Sequence, residues 1–142
     1  MDHAGVIHRF NWSKGGFDSI EDANKFLKSI FDGKQNCYNL RNKNFPRAIE
    51  NEDKYFFIFD TAKQAIVGAR MVLNITDKNE SYYRYRVMFK DTPIKFVPPI
   101  SLKELRQIDD EIIQEEFFKN KRYQSYRTIN QTAVEKILKL RS

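Results

Sequence analysis

The side chains that could carry out catalysis are few in this sequence. His3 and His8 lie five residues apart on a predicted strand, so they point to opposite faces and are poorly placed to share a metal ion. Cys37 is the single cysteine, and it has no obvious histidine partner that would make it a nucleophile. Gly15-Gly16 lacks the third glycine and the Lys-Ser/Thr pair of a phosphate-binding loop. We therefore predict no catalytic residue, no metal site and no cofactor.

One short pattern points to an enzyme instead. Glu52-Asp53-Lys54 has the Glu-x-Lys order of metal-dependent nucleases, in which carboxylates hold Mg²⁺ and a lysine polarises a phosphate. In those enzymes the pair usually lies within a strand or at its end, whereas here it precedes a predicted strand and has the composition of a polar turn. A Mg²⁺-dependent nuclease is the less favoured alternative, and it predicts a cleavage activity that Glu52→Ala abolishes.

Aromatic and amide side chains form a more promising group. Trp and Tyr rings stack on nucleobases, Asn and Ser hydrogen-bond to base edges, and proteins that bind a single base flip it into a pocket of such side chains. The structural alternative is that Trp12 anchors the core at the end of a strand and that the asparagines form turns. The predicted base pocket comprises Asn11, Trp12, Ser13, Asn36, Tyr38 and Asn39.

Positive charge is concentrated in two parts of the chain. The sequence has 25 Lys and Arg against 19 Asp and Glu, a formal net charge of +6. Residues 33–48 contain no carboxylate, and residues 119–142 contain only Glu135. Such segments favour an anionic partner, most commonly a phosphate backbone, although many basic proteins simply have solvated basic faces. The predicted backbone-binding residues are Lys34, Arg41, Lys43, Arg47, Lys119, Lys121, Arg122 and Arg127.

Length and composition predict one globular domain over residues 1–142. Hydrophobic residues make up 41% and charged residues 31%, and 12 Phe with 7 Tyr predict an aromatic-rich core. A single cysteine excludes a disulfide framework and suggests a reducing compartment. No apolar run approaches the ~20 residues that cross a membrane. We therefore expect a cytoplasmic protein with no membrane partner.

Helix signals are clear at three places. Asp18 or Ser19 caps a helix that ends at Gly33. Ser101 forms a capping box with Glu104 at the start of a second helix, whose apolar stripe extends through residue 112. A last helix follows Asn130. The polar, asparagine-rich stretch 33–46 is predicted to be a long surface loop.

Strand signals fill most of the remaining chain. Residues 55–59 form an apolar run that should be buried on both faces, and a polar turn joins them to the next strand as a hairpin. Gly68 inside that second strand indicates a bulge or a close approach of backbones. The predicted strands cover residues 6–10, 55–59, 65–75, 82–90, 94–97 and 126–129. This order predicts an α+β domain with a small, mostly antiparallel sheet, curled or closed into a barrel, and about three flanking helices.

Short motifs lie along the chain in a characteristic order. Residues 36–44 are Asn-Cys-Tyr-Asn-Leu-Arg-Asn-Lys-Asn, and Asp53 precedes the apolar strand 55–59. Ile66-Val67-Gly68-Ala69, Tyr85-Arg86-Val87 and Tyr126-Arg127-Thr128-Ile129-Asn130 follow. In this order and spacing the chain resembles the EVE and YTH-type domains of the PUA-like superfamily, nearly throughout from Val6. The family's Trp-Gly in the loop is replaced here by the region of Asn36, Cys37 and Tyr38.

The resemblance implies a PUA-like fold and a non-catalytic domain that binds DNA or RNA. Several relatives hold a methylated base in an aromatic pocket, whose walls here would be Trp12 and Tyr38. Such domains also serve as N-terminal specificity modules of McrBC-type restriction systems that depend on base modification. The chain would then be part of a longer protein, with a fused or associated effector domain. A protein-interaction module is the remaining alternative, and it predicts binding with little salt dependence.

Overall fold

The computed structural model describes residues 3–14, 16–40, 54–77, 85–115 and 126–141. Six of the predicted backbone-binding residues lie outside these ranges: Arg41, Lys43, Arg47, Lys119, Lys121 and Arg122. Glu52 and Asp53 of the nuclease pattern lie outside them as well. Within the described residues, no helix is long and apolar enough to cross a membrane.

Seven strands form one curled sheet. They are β1 (His3–Phe10), β2 (Cys37–Leu40), β3 (Tyr55–Asp60), β4 (Ala65–Asp77), β5 (Tyr85–Phe89), β6 (Ile94–Ser101) and β7 (Tyr126–Asn130). Their order is β2-β5-β4-β3-β1-β7, and β6 pairs with β4 beside this path. Among the described strands, β1 and β3 form the single parallel pair. The fold is the predicted α+β, PUA-like one, with no pairing between β2 and β7 to close the sheet in the described part of the chain.

In the described ranges, four α-helices cover the sheet: α1 (Ile20–Phe31), α2 (Leu102–Arg106), α3 (Glu111–Gln114) and α4 (Gln131–Lys139). Strand β3 divides its side chains between two cores, as its continuous apolar run predicts. Phe57 and Phe59 pack with residues of α2, α3 and α4, while Phe56 and Ile58 pack with α1 inside the curl. The alternation of a strand thus makes β3 the shared wall of both cores.

The ends of α1 follow from local chemistry. The hydroxyl of Ser19 accepts a hydrogen bond from the Asp22 backbone N–H at 3.2 Å, so Ser19 is the N-cap. Gly33 has a φ of +82°, the left-handed conformation that ends a helix without a side-chain clash. The predictions for both ends of this helix are confirmed.

Gly68 marks a place where backbones approach closely, as predicted. A methyl group there would lie 2.5 Å from both the Ile94 carbonyl oxygen and the Phe31 ring. The pairing of β4 with β6 also shifts register next to Gly68. Farther along, β4 leaves β3 after Met71 and pairs with β5 from Val72 onward. This exchange of partners within one long strand lets the sheet curl.

Three sequence predictions need correction. The stretch predicted as a loop contains β2, which pairs antiparallel with β5. Strand β6 continues beyond its predicted end at residue 97, because Pro98 and Pro99 lie between its two paired ends and no hydrogen bond to β4 is required of them. The predicted helix through residue 112 is divided into α2 and α3, because Asp110 caps a new helix by accepting from the Ile113 N–H.

A partly exposed ion pair connects the end of the described chain to α2. The Arg141 guanidinium donates to both carboxylate oxygens of Glu104 at 2.7 Å and to the carbonyls of Pro98 and Pro99. Glu104 also accepts from the Ser101 N–H as part of the predicted capping box. The hydrogen bonds from Arg141 and from Ser101 together lower the pKa of Glu104 to about 2.

Candidate functional site

A histidine between two tyrosines lies at the centre of the candidate site. The Nε2 atom of His8 on β1 is 2.9 Å from the Tyr38 hydroxyl on β2. On its other side, the His8 ring stacks on Tyr126 of β7, with 4.7 Å between centroids and 17° between planes. His8 and Tyr126 are also directly paired in the sheet. Because three strands separate β2 from β1, only the curl of the sheet brings Tyr38 to His8.

Further aromatic rings extend this centre. We define the His8 cluster as His8, Tyr38, Tyr126, Phe26, Phe17 and Phe10. Tyr38 contacts Phe26 of α1 at 5.7 Å between centroids, and Phe26 contacts Phe17 and Phe10. Tyr38, Tyr126 and Trp12 are partly buried, and all three pack against the core inside the curl. Trp12 is therefore both a core contact and a partly exposed ring, which leaves both interpretations from the sequence open.

The polar neighbours of Trp12 bond to each other. The Asn11 side-chain oxygen accepts from the Ser13 N–H at 3.2 Å and from the Ser13 hydroxyl at 2.8 Å. This arrangement caps the 3-10 turn Trp12–Lys14 that follows β1. Both side chains are exposed. The predicted pocket residues Asn11, Trp12 and Ser13 thus form one compact turn at the end of the strand that carries His8.

Asn36 is held by a buried arginine that the sequence analysis missed. Arg70 on β4 is 0% exposed, and its Nη2 donates to the Asn36 side-chain oxygen at 2.6 Å. Burial lowers the pKa of Arg70, and the nearby Asp91 carboxylate opposes that shift. The guanidinium lies over the Phe89 ring at 5.0 Å from its centroid. The signal in the sequence is an arginine inside the otherwise apolar stretch 65–73.

Asn39 does not share a strand face with Tyr38, because adjacent residues of a strand point to opposite faces. Its side-chain oxygen lies 3.4 Å from the Arg86 Nε instead. Of the predicted backbone-binding residues, Lys34 is exposed in the turn after α1. Arg127 on β7 lies 3.5 Å from the Glu115 carboxylate. The structure therefore brings together only part of the predicted residue set.

Two segments that contain predicted backbone-binding residues attach to the strands of the His8 cluster. Segment 41–53 follows directly on β2, which ends two residues after Tyr38, and segment 116–125 leads directly into Tyr126. Both tyrosines contact His8, so the attachment points of the two segments lie on the same part of the molecule. Basic residues 41, 43, 47, 119, 121 and 122 all belong to these segments.

Nothing in the described residues forms a metal site. No group of three or more His, Cys, Asp or Glu side chains there could hold a metal ion. Cys37 is a free cysteine, and its sulfur lies 3.1 Å from the Gln35 side-chain nitrogen. Lys54 uses its backbone oxygen to accept from the Val72 N–H.

Several solved structures are similar to this chain. The ASCH protein from Zymomonas mobilis has a TM-score of 0.60 at 16% identity, over 98% of this chain and 96% of its own. The DUF55 domain of human thymocyte nuclear protein 1 has a TM-score of 0.62 at 15% identity, over 97% and 98%. The YTH domain of the Zygosaccharomyces rouxii MRB1 protein, in complex with N6-methyladenosine RNA, has a TM-score of 0.56 at 14% identity, over 96% and 86%.

At these identities the likeness concerns the fold. No curated protein sequence matches the chain. The EVE domain, by contrast, matches residues 14–140, which is most of the sequence and includes every described α-helix and every described strand after β1. The chain therefore belongs to the EVE domain family.

Proposed function

We propose that this domain binds nucleic acid and holds one base, in its methylated form, against the His8 cluster, without catalysing a reaction on it. The observation that carries the proposal is the position of Tyr38 and Tyr126, which contact the same histidine from the strands where segments 41–53 and 116–125 attach. Trp12, Tyr38 and Tyr126 would supply partly exposed aromatic surface. The YTH domain of similar fold was solved with N6-methyladenosine RNA, which supports the same class of ligand.

The free energy of binding at such a site has contributions of opposite sign. Basic side chains of the two segments would contact phosphates, which makes affinity fall with salt. Moving a base out of its stack costs a few kcal/mol, and stacking on an aromatic ring returns roughly 1–3 kcal/mol. Burial of one methyl group adds only ~0.8 kcal/mol. Strong discrimination for a modified base therefore requires the pocket to disfavour the unmodified base as well.

The single tryptophan offers a direct assay. We would titrate the protein with single- and double-stranded DNA and RNA oligonucleotides, each with and without methylated adenine or cytosine, and follow Trp12 fluorescence. Quenching that prefers one modified oligonucleotide is the expected result. Binding without preference would leave a general electrostatic binder, and no binding even at low salt would overturn the proposal in favour of a protein-interaction module.

A matched pair of variants tests the location. Tyr126→Leu removes a ring from the His8 cluster, and Tyr55→Leu removes a partly buried ring from the core on the other face of the sheet. We expect Tyr126→Leu to weaken binding roughly 5- to 150-fold, the range that one stacked base contributes. Tyr55→Leu should leave affinity unchanged once folding is verified by circular dichroism. Equal effects of the two variants would contradict a site at the His8 cluster.

The cellular role is a further part of the proposal. A domain that binds a modified base without reacting with it would act as the recognition module of a fused or associated effector, for example in a restriction system that depends on base modification. The chain's single free cysteine is compatible with a location in the reducing cytoplasm. Cleavage of modified plasmid by a complex that contains the domain, and its loss with Tyr126→Leu, would support this role.

A further inference from the structure

The guanidinium of Arg70 has almost all of its donors engaged. Its Nη1 donates to the carbonyls of Ile30 and Gln35 at 2.6 and 3.1 Å, and its Nη2 donates to the Lys90 carbonyl and the Asn36 side-chain oxygen at 2.7 and 2.6 Å. Only the buried Nε–H has no partner within the described part of the chain. The group is therefore fixed by four bonds from three different parts of the fold.

This arrangement also fixes the orientation of the Asn36 amide. A guanidinium donates hydrogen bonds and cannot accept them, so the amide must turn its oxygen toward Arg70. The Asn36 NH₂ group then has to face away from Arg70. Asn36 is exposed, and no protein group among the described residues takes either of its two amide hydrogens.

The backbone of Asn36 is fixed as well. Its carbonyl accepts from the Phe89 N–H at 2.8 Å, which continues the pairing of β2 with β5 by one residue. Asn36 precedes Tyr38 by two residues, the spacing that puts two side chains on the same face of a strand. The oriented NH₂ group therefore belongs to the same face as the tyrosine of the His8 cluster.

We propose that Asn36 is a specificity-determining residue that donates a hydrogen bond to an acceptor atom of the bound base, and that Arg70 is the positioning residue that makes it a donor. The inference rests on the proposed function. Ring nitrogens and carbonyl oxygens on base edges can accept such a bond. A base amino group at the same place could not, because it is a donor and would meet the donor NH₂ group of Asn36. The Asn36–Arg70 pair thus selects bases by the acceptor that they present.

The decisive variant is Asn36→Asp. A carboxylate keeps an oxygen for Arg70 and adds an ion pair to a desolvated guanidinium, so the unfolding midpoint should stay the same or rise. The same change removes both amide donors and places an acceptor against the acceptor of the base. We expect affinity for the preferred oligonucleotide to fall by about 10-fold or more, in line with the loss of a buried hydrogen bond.

Asn74→Asp is the matched control for charge. Asn74 is exposed on β4 and pairs with Met88, which pairs in turn with Cys37 next to Asn36. The Asn74→Asp variant introduces the same negative charge nearby and leaves the contacts of Arg70 unchanged. Both variants are measured at low and at high salt, because screening reduces a general charge effect and leaves a lost hydrogen bond.

The outcomes separate the two proposals. A wild-type protein that binds no oligonucleotide overturns the proposed function and, with it, the ligand of Asn36. A wild-type protein that binds, with Asn36→Asp no weaker than Asn74→Asp at either salt concentration, overturns the donor role alone. A large drop in the unfolding midpoint of Asn36→Asp would contradict the Arg70 contact on which the inference depends.

Discussion

Replacement of Arg70 by methionine tests how the interior of this domain is held together. Methionine keeps an unbranched apolar stem and has no donors. The substitution removes the guanidinium from the backbone carbonyls of Ile30, Gln35 and Lys90. The Lys90 carbonyl keeps its bond from the Thr92 N–H at 2.9 Å, so the two carbonyls of Ile30 and Gln35 bear the loss. The Ile30 carbonyl belongs to the last turn of α1, where no further helical N–H is available to it. Asn36 is exposed, so its freed oxygen can turn to water.

The size of the effect follows from these contacts. Each acceptor left unpaired in the interior costs about 1–3 kcal/mol. Removal of a desolvated charge with an unpartnered Nε returns part of that cost. For two acceptors we expect a net loss of about 2–4 kcal/mol, a large share of the ~5–15 kcal/mol that stabilises a domain of ordinary stability. With a urea m-value of ~2 kcal/mol/M, the midpoint should fall by ~1–2 M.

Equilibrium urea unfolding followed by far-UV circular dichroism measures this loss. Arg86→Met is the matched control, since Arg86 is partly exposed and its Nε makes one long contact, 3.4 Å to Asn39. We expect the control to lose less than ~1 kcal/mol. If Arg70→Met shifts the midpoint no more than Arg86→Met does, the carbonyls of Ile30 and Gln35 find other partners and the reasoning from Arg70 is wrong.

Three further predictions concern stability. Gly68→Ala places a methyl group 2.5 Å from the Ile94 carbonyl oxygen, so we expect the free energy of unfolding to fall by about 1–3 kcal/mol and the calorimetric Tm to fall with it. An unchanged Tm would show that β6 moves away at little cost. Glu104 has its pKa lowered from 4.5 to about 2, so its contribution is present above pH 4.5 and lost as the pH falls toward 2. Arg141→Met should return the Glu104 pKa toward its usual value by NMR titration and flatten the acid dependence of stability, and a pKa that stays at about 2 would refute the assigned cause. Ser101→Ala removes the cap of α2 and should cost ~1 kcal/mol in urea unfolding, whereas a cost near zero would mean that water replaces the cap.

The parts of the fold that sequence predicts well are those decided by near neighbours. The ends of α1 depend on Ser19 and Gly33, and each acts on backbone groups within three residues or on its own φ. The burial of β3 on both faces follows from an uninterrupted apolar run. The helix after Ser101 was predicted too long because Asp110 competes as a cap, and the balance between one helix and two is not visible in apolar spacing alone.

The parts that sequence misses depend on distant partners. Strand β2 has only four residues and a polar surrounding sequence, and its pairing with β5 makes it a strand. Tyr38 was predicted to be a pocket wall, but its bond to His8 requires the curl of five strands. The partnership of His8 with Tyr126 was not foreseen, because it joins residues from opposite ends of the sequence. Local periodicity contains no information on such pairs.

The position of β1 between β3 and β7 affects the order in which the strands of the domain pair during synthesis. A chain made from its N-terminus has β1 early, but Gly5 and Ile129, which face each other in the sheet, are among the last residues to meet. Until then one edge of β1 is an open template, and the contact is among the longest loop closures that the chain makes. The stacking partner of His8 arrives with β7. The candidate site is therefore completed when β7 pairs with β1, and a growing chain that has not yet reached β7 lacks it.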